Sequence, residues 1–261
     1  MQGRNRSLGS GVRNGVHADP DRAYRRSCRA GSGERSYQVV VEETDLWIVS
    51  PEDLSADIAA LVHELRAGIK GAMSMVPGFA TSMIPVEVPA GAAPVVKAMT
   101  EASSRVGVGP MAAVAGAIAQ AVVERFSDRT ADLLVENGGD IHLHSSRDRF
   151  VGLLSDPEQG VRIGVRVRAD EFPCSFCASS GRIGHSVSLG RGDLVVVRSR
   201  NASLADAAAT ALANMVVSPE DVNRAVNQAR KWSGLGLNGV FVQCGEVLAV
   251  WGRMELDAVG S

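Results

Sequence analysis

Apolar and polar positions along the chain change period several times, and each change marks an element. Residues 37–49 read Tyr-Gln-Val-Val-Val-Glu-Glu-Thr-Asp-Leu-Trp-Ile-Val, two β-branched runs around Glu43-Thr44-Asp45, which predicts a hairpin. Residues 50–75 switch to helical spacing: Ile58, Leu61, Val62, Leu65 and Ile69 form one face, with Ser55 as N-cap. Pro77, Pro85, Pro89 and Pro94 then impose loop or edge strand. A short helix is expected over 93–103. A longer one opens at Gly107-Val-Gly-Pro-Met111 and runs to Arg125, with Pro110 at its first position, where a missing N–H costs nothing. Its stretch over 112–123 is apolar almost all round, so it reads as the central, close-packed helix, or as an interface helix of a homo-oligomer.

Residues 131–144 predict strand, tight turn, strand, with Leu133 and Val135 alternating before Asn137-Gly138-Gly139 and Ile141 and Leu143 after it. Asn-Gly suits a type I′ turn, and Glu136 and Asp140 on either side would project carboxylates beside its free N–H groups. Val161, Ile163, Val165 and Val167 alternate with Arg162, Gly164, Arg166 and Arg168, a half-exposed strand with a basic outer face. A buried strand over 193–199, a helix started by Ser218-Pro-Glu-Asp221 and a terminal hairpin through Cys244-Gly-Glu246 complete the chain. Irregular alternation of helices and hairpins predicts an α+β fold with largely antiparallel pairing.

Composition narrows the function classes. Residues 1–36 carry eight Arg against Asp19, Asp21 and Glu34 with few apolar groups, which reads as a mobile Arg/Gly/Ser-rich tail ahead of a single domain over 37–261. A net charge of -2 and 4% aromatic residues offer no nucleic-acid footprint. The four cysteines are too few for a secreted disulfide framework and fit a reduced setting. Cys174-Ser-Phe-Cys177 admits a zinc or redox reading, or simply two small buried residues leading into a loop. The first residues lack the apolar core of a secretory signal, and the longest apolar run, 111–123, is too short to span a bilayer. The expectation is a cytoplasmic protein with no membrane partner.

Candidate chemistry gathers in four places. Gly107 and Gly109 precede a helix N-terminus, a natural anion site, or else serve helix packing. The Asn137-Gly138-Gly139-Asp140 turn is the second. In the third, residues 177–186, Ser179, Ser180 and Gly181 form a small-residue loop beside Gly184 and the lone His185. The fourth is the helix over 203–214, where Asp206 and Thr210, four apart, share a face and supply hard oxygen ligands of the kind Mg²⁺ takes; Ser203 and Asp206 have the spacing of a capping box as well. Cys177 beside His185 also admits a thiol nucleophile.

Together, Glu43-Thr-Asp-Leu46, Val108-Gly-Pro-Met-Ala-Ala-Val-Ala-Gly116, Glu136-Asn-Gly-Gly-Asp-Ile141, residues 177–186 and residues 203–214 resemble uncharacterised protein family 0280, a branch related to the ApbE flavin transferases. The resemblance runs from about Tyr37 to the C-terminus. It implies the ApbE-like, T-fold-related α+β architecture, and binding of a flavin or other nucleotide. In the better-known relatives FAD is the donor, Mg²⁺ assists cleavage of its pyrophosphate, and FMN passes to a threonine of an acceptor protein. By the same resemblance Asn137, Gly138, Gly139, Asp140, Ser179, Ser180 and Gly181 would line the cleft, Asp206 and Thr210 would be the metal pair, and His185 would assist proton transfer. Two features depart from the transferases: Ser186-Val-Ser-Leu-Gly-Arg-Gly-Asp193 replaces their Asp-Pro-x-Thr-Gly-like segment, and their lipoprotein signal is missing. Those departures bear against transfer onto exported acceptor proteins; the alternative on the same scaffold is a non-catalytic cofactor-binding or accessory protein in sulfur or homocysteine metabolism, to which the resemblance also links this branch.

Overall fold

The computed structural model describes residues 31–154, 162–180 and 194–259. Its framework is an eight-stranded sheet with the order β1-β2-β3-β4-β7-β8-β9-β10, every neighbouring pair antiparallel. The strands are β1 (Arg35–Val41), β2 (Thr44–Ser50), β3 (Leu133–Asn137), β4 (Asp140–His144), β7 (Cys174–Ser179), β8 (Leu194–Ser199), β9 (Leu237–Cys244) and β10 (Val247–Gly252). A second sheet of three strands, ordered β11-β6-β5, is made from β5 (Arg149–Leu154), β6 (Arg162–Val167) and β11 (Leu256–Val259). Among the described residues five α-helices complete the fold: α1 (Ser55–Met75), α2 (Pro94–Val106), α3 (Val114–Phe126), α4 (Ala202–Met215) and α5 (Val222–Lys231). The expected mixed, largely antiparallel α+β class is what the chain adopts.

Strand alternation divides the apolar side chains between two cores. Val39, Leu46, Ile48, Val135, Cys177, Val195, Val197, Val240 and Val242 face the helices. Ile141, Leu143, Cys174, Phe176, Val196 and Phe241 face the small sheet, which contributes Val151, Leu153, Val165 and Val167. The large sheet is therefore covered on both faces. That explains β8, whose Leu194-Val-Val-Val-Arg-Ser199 is buried throughout and shows no alternation in sequence.

Several expected boundaries move. The central helix is α4, buried from Ala202 through Ala213, because it packs against α2, α3, β7 and β8 at once; α3 keeps Gln120 and Glu124 toward its rim. The helix expected from Pro110 begins as a 3-10 turn over Pro110–Ala113 and becomes α-helical only at Val114. Ser55 is the first residue of α1, and its N–H is held by Asp53 Oδ1 at 2.9 Å. β7 occupies what was expected to be the start of a loop, and β11 carries the chain beyond the terminal hairpin to pair with β6.

The tail read over 1–36 lies outside the described residues up to Ala30. Just before β1, Glu34 meets Arg147 Nη2 at 2.7 Å and Arg149 Nη1 at 2.9 Å, and Arg149 also reaches Asp132 at 3.0 Å. Burial opposes ionisation of Glu34. The hydrogen bonds from Arg149, the Gly31 N–H and Arg147 outweigh it, holding the carboxyl down at about 2.

The start of α4 is capped from two directions. Asn201 Oδ1 accepts the Leu204 N–H at 2.8 Å, and Gln120 Oε1, reaching across from α3, accepts the Ala202 N–H at 2.7 Å. Removing the second cap in Gln120→Ala should lower stability by about 1 kcal/mol, the usual worth of a helix cap. Chemical denaturation with an unchanged midpoint would show that this contact contributes nothing.

Candidate functional site

The β3–β4 hairpin pairs Leu133 with His144, Val135 with His142 and Asn137 with Asp140, and β4 pairs His142 with Ser175. Ile141 and Leu143 belong to the core under the small sheet, so Asp140 and His142 face the helices. One end of the helix-facing surface thus carries a polar stripe across three adjacent strands: Asn137, Asp140, then Cys177 and Ser179. All four are buried. Opposite the stripe stand the first turn of α3 and the middle of α4.

The turn is tighter than Asn-Gly pairing implied. Asn137 belongs to β3, and the two loop residues are Gly138 and Gly139, with φ of 66° and 108°. Both angles lie in the left-handed region, which glycine enters at little cost. The added Cβ at either position would meet no atom within 4 Å, so open space surrounds the turn. The Gly139 N–H is taken by Glu136 Oε1 at 2.7 Å. Glu136 pairs across with Ile141 and so lies on the face opposite Asp140, so the two carboxylates that flank the turn project to different sides of the sheet.

Asp206 has a role that spacing along its own helix concealed. It does not cap α4, which starts at Asn201, so the capping-box reading with Ser203 is excluded. Instead Asp206 Oδ2 accepts the Gly116 N–H in the first turn of α3 at 2.9 Å. Asn137 Nδ2 donates to the Ala115 carbonyl at 3.1 Å, so sheet and α4 together hold the start of α3. This requires near contact of the two helices. An added Cβ on Gly116 would stand 2.3 Å from the Ala202 carbonyl oxygen and 2.9 Å from Asp206 Cβ.

Asp140 and Asp206 come within hydrogen-bonding reach of each other. Asp140 Oδ1 accepts the Ala178 N–H at 3.0 Å, and the Cys177 thiol, which donates to the Ala202 carbonyl at 3.5 Å, lies beside Asp140. Burial raises both carboxyls, the Asp140 group well above the ordinary carboxylate range with the Asp206 charge adding to it, and the Asp206 group to about 7. Burial is the main cause because transferring a carboxylate out of water penalises its charged form. The same burial, with both carboxylates beside it, pushes the Cys177 thiol far up, which rules against an activated thiolate.

Thr210 lies one turn beyond Asp206 on the same face. It is 8% exposed, yet its hydroxyl has no hydrogen-bond partner among the described residues. Helical threonines commonly return such a hydroxyl to the carbonyl four residues back, as Thr100 does to Val96 at 3.0 Å. An acidic pair with a threonine hydroxyl one turn along the helix, all hard oxygen, suits a divalent cation of the Mg²⁺ type.

Among the described residues no group of three or more His, Cys, Asp and Glu is arranged to hold a metal. The zinc or redox reading of Cys174 and Cys177 fails on strand geometry: three apart in β7, they point into opposite cores.

The remaining expected site residues separate into three groups. Ser179 and Ser180 are buried at the end of β7 beside the stripe. Gly107 closes α2 with φ of 79°, its N–H returning to the Ser103 carbonyl at 2.9 Å, and Gly109 allows the Ser82 backbone to approach, since a Cβ there would lie 1.7 Å from the Ser82 oxygen. Gly181 and His185 lie outside the described residues.

Three contributors were not singled out in sequence: Gly116, Gln120 and the Cys177 contact with Asp140. Only Gly116 left a trace, a glycine inside an alanine-rich helix, where alanine would be favoured by about 1 kcal/mol unless packing forbids it. His142 is another buried polar group on this face, its Nδ1 without a partner and its pKa lowered by burial, with His144 adding, to about 4.

Comparison with known proteins identifies the family and the fold. A family model described as AbpE bacteria matches residues 26–252. The UPF0280 protein of Methanopyrus kandleri is 40% identical over 84% of this chain and 90% of its own length. That of Archaeoglobus fulgidus is 35% identical, over 84% and 93%. Among solved structures, the flavin transferase ApbE from Vibrio cholerae covers 84% of this chain and 97% of its own at a TM-score of 0.56 and 12% identity. The ApbE protein of Thermotoga maritima has the same coverages, a TM-score of 0.51 and 12% identity. At such identities the structural likeness establishes the fold, while the sequence matches establish the membership: the chain belongs to the UPF0280 family and has the ApbE fold.

Proposed function

We propose that the chain binds FAD together with Mg²⁺ in the cleft bounded by the Gly138-Gly139 turn, the Ser179-Ser180 end of β7 and the Asp206 face of α4, and transfers FMN from FAD to an acceptor protein. The observation that carries the reading is Thr210: a residue 8% exposed, one turn from the buried Asp206 carboxylate on the same helix face, whose hydroxyl makes no hydrogen bond to the described residues. The likeness of the fold to flavin transferases supports the flavin as ligand.

In this reading Asp206 and Thr210 hold the cation, which supplies charge neutralisation where negative charge develops on the pyrophosphate. Gly138 and Gly139, with open space where side chains would stand, let the ligand approach the backbone. His185 takes the proton of the acceptor hydroxyl as its oxygen bonds to the FMN phosphorus; the bond between the two phosphates breaks and AMP leaves. Gly107 and Gly109 serve indirectly, by setting the path into α3.

Calorimetry of FAD binding with and without Mg²⁺ tests the reading. Binding should require Mg²⁺ and be lost in Asp206→Ala. Equal binding in the absence of the cation, or by that variant, overturns it.

A second reading, cofactor binding without transfer, is favoured by one observation: residues 186–193 do not reproduce the transferase segment that follows the histidine. AMP release during incubation with FAD and an acceptor would count against it.

A further inference from the structure

We infer that Asp140 is a second carboxylate ligand of the divalent cation, so that the ion joins β4 to α4; this rests on the reading that Asp206 and Thr210 hold such an ion. Resemblance places Asp140 only along the cleft, and three observations take it further.

The first is proximity. Asp140 and Asp206, each more than nine-tenths buried, lie within hydrogen-bonding reach. Neither makes an ion pair with Lys or Arg among the described residues, so no protein cation accounts for two carboxylates sharing one buried space. Buried charges are ordinarily paired or coordinate a metal.

The second is anchoring. The two groups are held from elements other than their own: Asp140 by the Ala178 N–H at 3.0 Å, Asp206 by the Gly116 N–H at 2.9 Å. Outer contacts of this kind orient ligands.

The third, independent of the acidic pair, is the unpartnered Thr210 hydroxyl one turn along the same helix face. Two carboxylates and a hydroxyl neutralise a divalent ion and leave about half of an octahedral shell for water and phosphate oxygens, the usual manner of Mg²⁺ binding at nucleotide sites.

Mn²⁺ replaces Mg²⁺ in oxygen sites and can be followed by its electron paramagnetic resonance, with no turnover required. Titration of the full chain should show that Asp140→Asn and Asp206→Asn each weaken Mn²⁺ binding at least about tenfold, the low end for loss of even an outer contact to a metal ligand. Tight binding by Asp140→Asn, with binding lost in Asp206→Asn, would overturn the Asp140 assignment and leave the Asp206–Thr210 reading intact. Absence of Mn²⁺ binding by the parent chain would overturn both.

A merely structural role for Asp140 is separated by Asp140→Cys compared with Asp140→Ser under reducing conditions. Both are small and uncharged, so both should tolerate burial. If the residue contacts the ion, the cysteine variant should bind Cd²⁺ at least about tenfold more tightly than the serine variant, as a soft ion prefers thiolate. Equal Cd²⁺ affinities would overturn the assignment even if Asp140→Asn failed to fold.

Discussion

Without divalent cations at pH 8, Asp206→Asn should melt about 5–10 °C above the parent protein, and the two should converge near pH 4. Burial holds the Asp206 carboxyl at about 7 in the fold, against an ordinary value of 3.8. The folded state therefore retains a proton that the unfolded chain has released. The stabilising contribution is complete below about 4 and is lost as pH rises through about 7. A shift of this size corresponds to a few kcal/mol at most, at about 1.4 kcal/mol for each unit. For a chain of this size each kcal/mol moves the melting temperature by about 2–4 °C.

Asparagine can still accept the Gly116 N–H through its side-chain oxygen, so the α3 contact survives while the titration disappears. His142 acts in the opposite direction. Its pKa is lowered to about 4, so its contribution is present above about 6.5 and lost as pH falls toward 4. It is common to both proteins, so the difference between their melting curves reports Asp206 together with its neighbour Asp140. Parallel curves from pH 4 to pH 8 would mean that the carboxyl is not strained by burial. The metal reading adds a consequence: Mg²⁺ should raise the parent's melting temperature at pH 8 and leave the variant's unchanged.

Gly116→Ala should destabilise the fold by about 3 kcal/mol, although alanine is the better helix former by about 1 kcal/mol. The added methyl carbon would stand 2.3 Å from the Ala202 carbonyl oxygen, so α3 and α4 must part. Their separation would also strain the Gly116–Asp206 and Gln120–Ala202 hydrogen bonds. Denaturant unfolding should show a lower midpoint. An unchanged or higher one would show that the helices do not cross as closely as described.

Much of the architecture was legible along the chain because the sheet ends alternate. The β1–β2, β3–β4 and β9–β10 hairpins each combine a period of two with a polar or glycine turn, and pairing of adjacent segments depends little on the rest of the molecule. β8 was legible for another reason, as a short apolar run covered on both faces. Less visible were β5, β7 and β11. β5 pairs with the next strand, β6, while β7 and β11 become strands through partners farther away in sequence, as Leu256 pairs with Val165.

The candidate site divides along the same line. Asp206 and Thr210 are determined by sequence alone as one face of a helix, because a separation of four is one helical turn. So is the glycine pair at the hairpin, where left-handed backbone angles exclude most other residues. Whether Asp206 served its own helix or something else was decided only in three dimensions, by its contact with Gly116, ninety positions earlier. Tertiary structure also placed Asp140 beside Asp206, sent Glu136 to the other face and turned Cys174 and Cys177 into separate cores. Local spacing settles which side chains share a face of one element. Which faces meet depends on how all the apolar surfaces are buried together, and here that burial set Asp206 against the start of a helix with Asp140 beside it.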